Sequence, residues 1–235
     1  KWGYYYTAGW QVRTEKHEIK DNSRQLLDRQ IKESRAHLSH YLQLYQIHSA
    51  TQESGVLQDD RVLDKLAQLK TEGLLIGLSL SGPDQARTLE KALKIKRDGR
   101  QLFGAVQATW NLLETSAEDA LGAASKEGWL TIVKEALANG RLTTRNVEAG
   151  FTEKRAVLQK YADEFGVGID AIGIAAVLSQ PWADIVLSGA ASIDQLRSNV
   201  KALKVELYGQ QLESLTSLAE DSRSYWQQRA KLEWN

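Results

Sequence analysis

The chain has 235 residues, in which 30 Lys and Arg balance 30 Asp and Glu. This neutrality argues against a nucleic-acid binder, because such proteins carry a basic excess. No apolar run approaches the roughly 18 residues that a transmembrane helix needs, so no membrane segment is expected. The absence of cysteine excludes disulfides, thiolate metal sites and a cysteine nucleophile. A globular protein of the reducing cytoplasm is the default expectation.

Short apolar runs alternate with segments of helical period along the chain. The runs are Trp2–Tyr6, Leu42–Ile47, Leu74–Leu80, Phe103–Ala108, Leu130–Val133 and Ile185–Leu187. Between the first two, Leu26, Leu27 and Ile31 recur at helical spacing with charges opposite. Strands that alternate with amphipathic helices predict βαβ units and a parallel sheet. Because most runs lack polar alternation, helices are expected to cover both faces of the sheet.

Capping residues predict where several helices begin and end. Ser23 precedes the first helical segment, and Ser116 and Ser192 are placed to open two later ones. Gly73 and the Asp98-Gly99 pair are placed as helix ends.

The spacing of the runs favours a barrel. Six runs recur about every 37 residues, which is a regular βα unit. No G-x-G-x-x-G follows the first run, which argues against an open dinucleotide-binding sheet. We therefore predict one domain over residues 1–235, an α/β fold of the (β/α)8 TIM barrel type. Since that barrel has eight strands, its first two βα units are expected to be absent from this chain, which would leave strand edges exposed.

Polar residues at the ends of these runs are the candidates for chemistry, because barrels bind substrates at the carboxyl ends of their strands. His48 ends the second run and could hydrogen-bond a carbonyl or exchange a proton, or could be bonded to a loop. Ser79 and Ser81 close the third run, where they could bind a ligand amide or cap the next helix. Gln107 closes the fourth run, and an inward amide there requires a partner.

Two further strand ends carry weaker signals. Lys134 and Glu135 follow the fifth run and are interpreted first as a salt bridge at the barrel mouth. The small residues 188–192 lead from the last run into a helix, an arrangement that can bind phosphate but that is also common without a ligand. The sequence lacks an HExxH motif, so no metal site is expected.

Together these strand ends resemble the aldo-keto reductase family. The matching segments occur in family order over nearly the whole chain and are Lys1–Gly3, Leu44–Ser49, Ile76–Ser79, Val106–Leu113, Glu135–Leu142 and Ser188–Asn199. Each segment taken alone matches the family only loosely. Six matches in family order are a more specific signal. The resemblance implies a (β/α)8 barrel that binds NADP(H), or NAD(H), in extended form. It implies an oxidoreductase that reduces an aldehyde or ketone, or oxidises the alcohol, by hydride transfer.

The resemblance also implies site residues. The family's catalytic tetrad is Asp, Tyr, Lys and His, and its last two members correspond to Lys1 and His48. The lysine lowers the pKa of the tyrosine acid and the histidine places the carbonyl. The Asp and Tyr have no counterpart in this chain, since Tyr4–Tyr6 do not match the motif. The implied cofactor-lining residues are Ser79, Gln107, Gly189, Ala190, Ser192, Gln195 and Asn199.

Three positions depart from the family pattern. Leu80 stands where the family usually has Asn after Ser, and Lys134 stands where an aromatic ring stacks on the nicotinamide. Gln195 stands where an Arg often contacts the 2′-phosphate of NADPH. These departures leave the choice between NADPH and NADH open.

Two alternatives remain at this point. One is a non-catalytic barrel of the same family that binds a ligand or partner. The other is a different barrel enzyme, such as an aldolase that uses Lys134 as a Schiff-base amine. A small carbonyl or alcohol substrate is expected, but the loops do not identify it, and the sequence does not set the oligomeric state.

Overall fold

The structure, a computed structural model, describes residues 1–6 and 18–232. The strands are β1 (Tyr4–Tyr6), β2 (Glu18–Lys20), β3 (Leu44–Ala50), β4 (Leu75–Leu80), β5 (Lys96–Arg97), β6 (Arg100–Gln101), β7 (Ala105–Thr109), β8 (Leu130–Lys134) and β9 (Ile185–Val186). The α-helices are α1 (Arg24–Leu38), α2 (Asp60–Thr71), α3 (Gln85–Ala92), α4 (Glu118–Lys126), α5 (Thr152–Phe165), α6 (Ile169–Leu178), α7 (Ile193–Asn199), α8 (Gly209–Thr216) and α9 (Ser222–Arg229).

The chain divides into two compact units. The first comprises Lys1–Gln107 with Gly128–Leu130, and the second comprises Ala108–Glu127 with Thr131–Asn235. In the first unit, β4 pairs in parallel with β3 on one side and with β7 on the other. In the second unit, β8 pairs in parallel with β9. The interpretation of residues 1–235 as one domain stays a prediction.

The five strands β3, β4, β7, β8 and β9 belong to one sheet in that order. Parallel strands separated by helices confirm the predicted α/β class, and five of the six apolar runs become strands of this sheet.

The first run is where the strand prediction is wrong. Trp2–Tyr6 is not one strand of the sheet, because β1 pairs antiparallel with β2 and only Trp2 reaches β3, through a single parallel bridge to Ile47. Gly3 separates the two parts with a φ of +114°, a conformation that glycine adopts readily. A run of apolar residues does not reveal such a turn.

The capping residues give a mixed result. Ser23 and Ser192 are confirmed as N-caps, since their hydroxyls accept from the backbone of Leu26 and Gln195. Ser116 is not a cap, because helix α4 begins after Ala117 and the Ser116 backbone N–H donates to the Glu114 carboxylate.

The predicted helix end at Asp98-Gly99 is also wrong. Helix α3 already ends at Ala92, and the pair forms the turn between the short strands β5 and β6. Asp98 and Gly99 have φ values of 51° and 72°. Two successive positive φ values are what a tight hairpin requires, and Asp-Gly is a preferred sequence for it.

The core of the first unit follows the predicted helical period. Val62, Leu63, Leu66 and Leu69 form one buried face of α2. The side chains of Ile76, Leu78 and Leu80 in β4 are fully buried as well. Because residues two apart on a strand share a face, these three side chains form one buried apolar face of β4. Within residues 1–6 and 18–232, the structure has no helix with the length and apolar character for crossing a membrane.

An ion-pair cluster in the second unit fixes the segment that leads into α9. The two guanidinium nitrogens of Arg141 donate to the two carboxylate oxygens of Glu220 at 2.9 and 2.8 Å. Lys154 Nζ adds a third contact at 2.9 Å. Burial alone would raise the pKa of Glu220, but the hydrogen bonds from Arg141 and Lys154 lower it overall.

This cluster predicts an acid-sensitive contribution to stability. A carboxyl group whose pKa is lowered by folding stabilises the protein above its unfolded pKa, near 4.5, and loses that contribution as the pH falls through the folded value. Glu220→Gln should therefore lower the free energy of unfolding by about 2–3 kcal/mol at pH 7, since it strands two cations. The wild type should lose more stability than the variant below about pH 4.5.

Denaturant titration at several pH values measures both effects. The matched control is Glu127→Gln, at an exposed glutamate after α4. Equal losses for the two variants at pH 7 would contradict the role given to the cluster.

Candidate active site

Lys1 is positioned by the backbone pairing of the residue that follows it. The N–H of Trp2 donates to the carbonyl of Gln46 at 3.0 Å, and the N–H of His48 donates to the carbonyl of Trp2 at 2.7 Å. These two bonds hold the start of the chain against the carboxyl half of β3. From there the side-chain amino group of Lys1 (Nζ) donates to the side-chain oxygen of Gln107 in β7.

Helix α1 holds the other side of this segment. The side-chain oxygen of Gln30 accepts from the N–H of Gly3 at 3.0 Å, and its amide nitrogen donates to the carbonyl of Tyr4 at 2.7 Å. One amide therefore satisfies two backbone groups that the sheet leaves unpaired. Sequence reasoning missed Gln30, because a polar residue on a helix gives no sign of what it contacts.

Ser79 and Gln107 lie side by side on one face of the sheet. They are partners in the register between β4 and β7, and Gln46 is aligned with Gly77 two residues earlier along β4. Aligned residues of a parallel pair point to the same face, and residues two apart on a strand share it. Both predicted residues are buried. The structure thus brings Ser79, Gln107 and Lys1 together at the carboxyl ends of the strands.

His48 lies in a bulge at the end of β3. The register shifts between Ile47 and Ala50, and Ser49 has a φ of +50°, which is strained for a residue with a side chain. Such bulges redirect side chains and occur beside active sites. Two contacts hold this one, because Ser49 donates its N–H to the Ser79 hydroxyl at 2.9 Å and accepts from Lys20 Nζ at 2.6 Å.

The structure excludes one interpretation of Ser79 and leaves both interpretations of His48 as predictions. The His48 ring is half-buried, and its centroid is 4.6 Å from that of Tyr4. Ser79 does not cap α3, which begins after Asp84, but braces the bulge instead. Ser81 likewise donates to the Ser49 hydroxyl at 3.3 Å. Both serines therefore serve the strand ends.

Gln46 adds a donor that sequence reasoning missed. Its amide nitrogen is buried and has no hydrogen-bond partner among the described residues. Its side chain crosses over Gly77, where a Cβ atom would lie 3.2 Å from Gln46 Cγ and 2.8 Å from the carbonyl oxygen of Ala105. A buried donor without a protein partner suits a ligand oxygen. The two-residue spacing between Gln46 and His48 was the signal available in the sequence.

The other predicted cofactor residues lie in the second unit, in the turn after β9 and in α7. Ser192 caps α7 by accepting from the N–H of Gln195 at 3.3 Å. The Gln195 side-chain oxygen accepts from the N–H of Ala191 at 2.7 Å. Asn199 is buried and donates to the carbonyl of Ser188 at 3.1 Å. The turn is therefore held by its own side chains.

Gly189 and Ala190 form the tip of this turn. Gly189 has a φ of +64°, and a Cβ atom there would meet nothing within 4 Å. The N–H of Ala190 donates to the Ser188 hydroxyl at 3.3 Å. The backbone N–H groups of Ala190 and Ala191 thus already have partners, and a phosphate that bound either one would have to displace a side chain.

The donor set of the first unit fits the carboxamide of a nicotinamide. Ser79 has a hydroxyl proton to donate, while Gln46 and Gln107 offer both amide donors and acceptors. The segment 188–199, which comprises the turn after β9 and helix α7, contains a single basic residue, Arg197, whose side chain lies 3.6 Å from Asp194. Among the described residues, no group of three or more histidines, aspartates or glutamates is placed to hold a metal ion.

Comparison with known proteins agrees with this fold. The model of the aldo/keto reductase family matches residues 10–220. Among solved structures, the holo form of aldo-keto reductase AKR11C1 from Bacillus halodurans is 20% identical, with a TM-score of 0.69 over 89% of this chain and 70% of that chain. Its apo form is 21% identical, with a TM-score of 0.67 over 84% and 69% of the two chains.

A third structure is the thermostable aldo-keto reductase Tm1743 in complex with the inhibitor epalrestat. It is 24% identical, with a TM-score of 0.66 over 83% of this chain and 66% of that one. At these identities the likeness establishes the fold. Among curated proteins, none matches the sequence significantly.

The close packing over Gly77 predicts a steric effect. Gly77→Ala should destabilise the protein by about 1–3 kcal/mol, because the new methyl group would lie 2.8 Å from the backbone oxygen of Ala105. The matched control is Gly122→Ala in α4, where the nearest atom is 3.9 Å away. That change should stabilise by about 0.4–1 kcal/mol, since alanine favours the helix. Thermal unfolding of both variants tests the pair, and equal shifts would show that the strand packing has been misjudged.

Proposed function

We propose that this chain, which belongs to the aldo/keto reductase family, is an NAD(P)H-dependent oxidoreductase. It reduces a small aldehyde or ketone, or oxidises the corresponding alcohol, by hydride transfer. The observation that supports this most is the grouping of Lys1, Ser79 and Gln107 on one face of a parallel sheet, with His48 at the neighbouring strand end. The carboxyl edge of parallel strands is where α/β folds bind their ligands.

In the proposed reaction, each residue of this group has a separate role. A bound nicotinamide would supply the hydride, and water would supply the proton that completes the alcohol. His48 donates a hydrogen bond to the carbonyl oxygen, which orients the substrate and stabilises the negative charge that develops there. Lys1 places a cation nearby, held by Gln107, which lowers the energy of that same charge. Ser79 is a proposed cofactor contact, and its hydroxyl also accepts from the bulge that carries His48. One residue therefore helps to position both the histidine and the cofactor.

Cofactor binding is proposed for two sets of residues. Ser79 and Gln107 would hold the nicotinamide carboxamide, and the unpaired amide nitrogen of Gln46 on the same face supports this role. In the second unit, the proposed nucleotide contacts are Gly189, Ala190, Ser192, Gln195 and Asn199. Gln195 lacks the guanidinium group that binds a phosphate through two parallel hydrogen bonds, so we propose at most a modest preference for NADP(H) over NAD(H).

We also propose a fold, a substrate class and a cellular location for this reaction. The parallel sheet is proposed to belong to a (β/α)8 barrel, as in the family. The proposed substrates are small carbonyl compounds and alcohols, and the proposed location is the cytoplasm, which a chain without cysteine permits.

Cofactor binding is the first test of this function. NADPH or NADH should quench the fluorescence of the seven tryptophans and saturate at micromolar concentration, with dissociation constants within about tenfold of each other. Gln195→Arg should shift the preference toward NADPH by about tenfold, because it supplies a charged contact. The control is Gln58→Arg, which adds the same charge at an exposed position. No saturable quench with either nucleotide would favour the non-catalytic alternative.

The role of His48 gives a kinetic prediction. His48→Ala should lower kcat/KM for carbonyl reduction by about 100-fold, because its hydrogen bond acts in the transition state. Nucleotide affinity should stay nearly unchanged. The control is His40→Ala, at an exposed histidine outside the site. Normal turnover in a folded His48 variant would end the catalytic assignment.

A further inference from the structure

We propose that Lys134 is a nucleophilic amine that forms an imine with an aldehyde or ketone, at a site in the second unit. The proposal rests on the position and surroundings of Lys134 and does not depend on hydride transfer or on a nucleotide. It gives a function to a residue at which the sequence departs from the reductase pattern.

Lys134 is the last residue of β8, the position from which barrel strands present their reactive side chains. Its side chain is 18% exposed, so it is largely but not completely withdrawn from water. Its Nζ atom is 3.9 Å from a carboxylate oxygen of Glu135. The Lys134 amine and the Glu135 carboxylate are thus adjacent and largely buried.

The turn that carries this pair is strained and firmly held. Glu135 has a φ of +56°, a conformation that costs about 1–3 kcal/mol in a residue with a side chain and that concentrates at functional sites. The amide of Asn111 donates to the Glu135 carbonyl at 2.9 Å and to the Tyr225 hydroxyl at 3.1 Å. Arg229 and Asn139 donate to the Glu135 carboxylate at 2.9 and 3.2 Å.

These contacts determine the ion pairs at the carboxyl end of β8. The salt bridge expected between Lys134 and Glu135 is the long one, while the short ion pair of Glu135 is with Arg229. The carboxylate is therefore oriented by Arg229. A structural salt bridge would explain the pair, but it would not explain why the buried Asn111 amide and the Arg229 guanidinium, from two other segments, both donate to the strained residue Glu135.

The surroundings also favour the reactive form of the amine. Burial lowers the pKa of Lys134, the Glu135 carboxylate opposes this, and the Arg229 guanidinium adds to it, with a lower pKa as the net result. Since only the neutral amine is a nucleophile, a lowered pKa increases the reactive fraction at neutral pH.

The proposed step is balanced without a cofactor. The Nζ lone pair forms a C–N bond to the carbonyl carbon, and the carbonyl oxygen takes up a proton to give a carbinolamine. Loss of the hydroxyl as water, with the remaining N–H proton, gives the imine. The Glu135 carboxylate can accept the proton from nitrogen and return it to the departing oxygen. Amine and carbonyl thus give imine and water, and nothing is oxidised or reduced.

Reductive trapping tests this directly. The protein is incubated at neutral pH with propanal and sodium borohydride, with no nucleotide present, and the modified lysines are mapped by peptide mass spectrometry. We expect one N-propyl group per chain at early times, with Lys134 labelled at least tenfold faster than Lys154 or Lys126. Lys154 is the internal comparison for a partly buried lysine, and Lys126 for an exposed one.

Three variants sharpen the result. Lys134→Arg keeps the charge and should abolish the fast label, whereas Lys154→Arg should leave it unchanged. His48→Ala should label normally, so a failure of the proposed hydride transfer can be told apart from a failure of this site. Uniform slow labelling of all lysines in the wild type would overturn the proposal even if a variant does not fold, and so would fast labelling that persists in folded Lys134→Arg.

Discussion

Two backbone hydrogen bonds between Trp2 and β3 are the constraint on which the candidate site depends. They fix the segment that carries Lys1 beside the strand that carries His48, and they let the lysine reach Gln107. Trp2 itself is almost completely buried, so apolar burial on the order of 2–3 kcal/mol supports the same placement. The Gln30 amide then satisfies the backbone of the next two residues. A chain segment with one bridge to the sheet is thereby made rigid enough to position a charge.

Two features mark the polar groups of the site: a strained backbone at Ser49 and a buried donor without a partner at Gln46. Ser79 is committed to the strained bulge at Ser49, while the Gln46 amide nitrogen remains buried without a partner. Several other buried side-chain polar atoms of the described residues also lack a partner, whereas the Asn111 amide contacts both Glu135 and Tyr225. What distinguishes the Gln46 donor is its position, because it lies on the same face of the sheet as Ser79 and Gln107, where a ligand oxygen could accept from it.

The sequence predicted what periodicity and strand ends can express. It predicted the α/β class, five of the sheet strands and the caps at Ser23 and Ser192, because each depends on local pattern. It could not predict the antiparallel pairing of β1 with β2, which depends on a partner segment without a distinctive pattern. The interpretation of Asp98-Gly99 as a helix end was wrong, because the same dipeptide suits both a helix end and a hairpin turn. Gln46 and Gln30 were missed since their roles arise only from tertiary contacts.

Hydride transfer to a carbonyl carbon is the activity proposed for this chain. The most direct measurement uses NADPH or NADH deuterated at the hydride-donating carbon, with benzaldehyde as the acceptor, and analyses the alcohol by mass spectrometry. We predict one deuterium at the carbinol carbon, with a rate that falls about 100-fold in His48→Ala and is unchanged in His40→Ala. Alcohol without deuterium, or the same rate of transfer in both variants, would contradict the account.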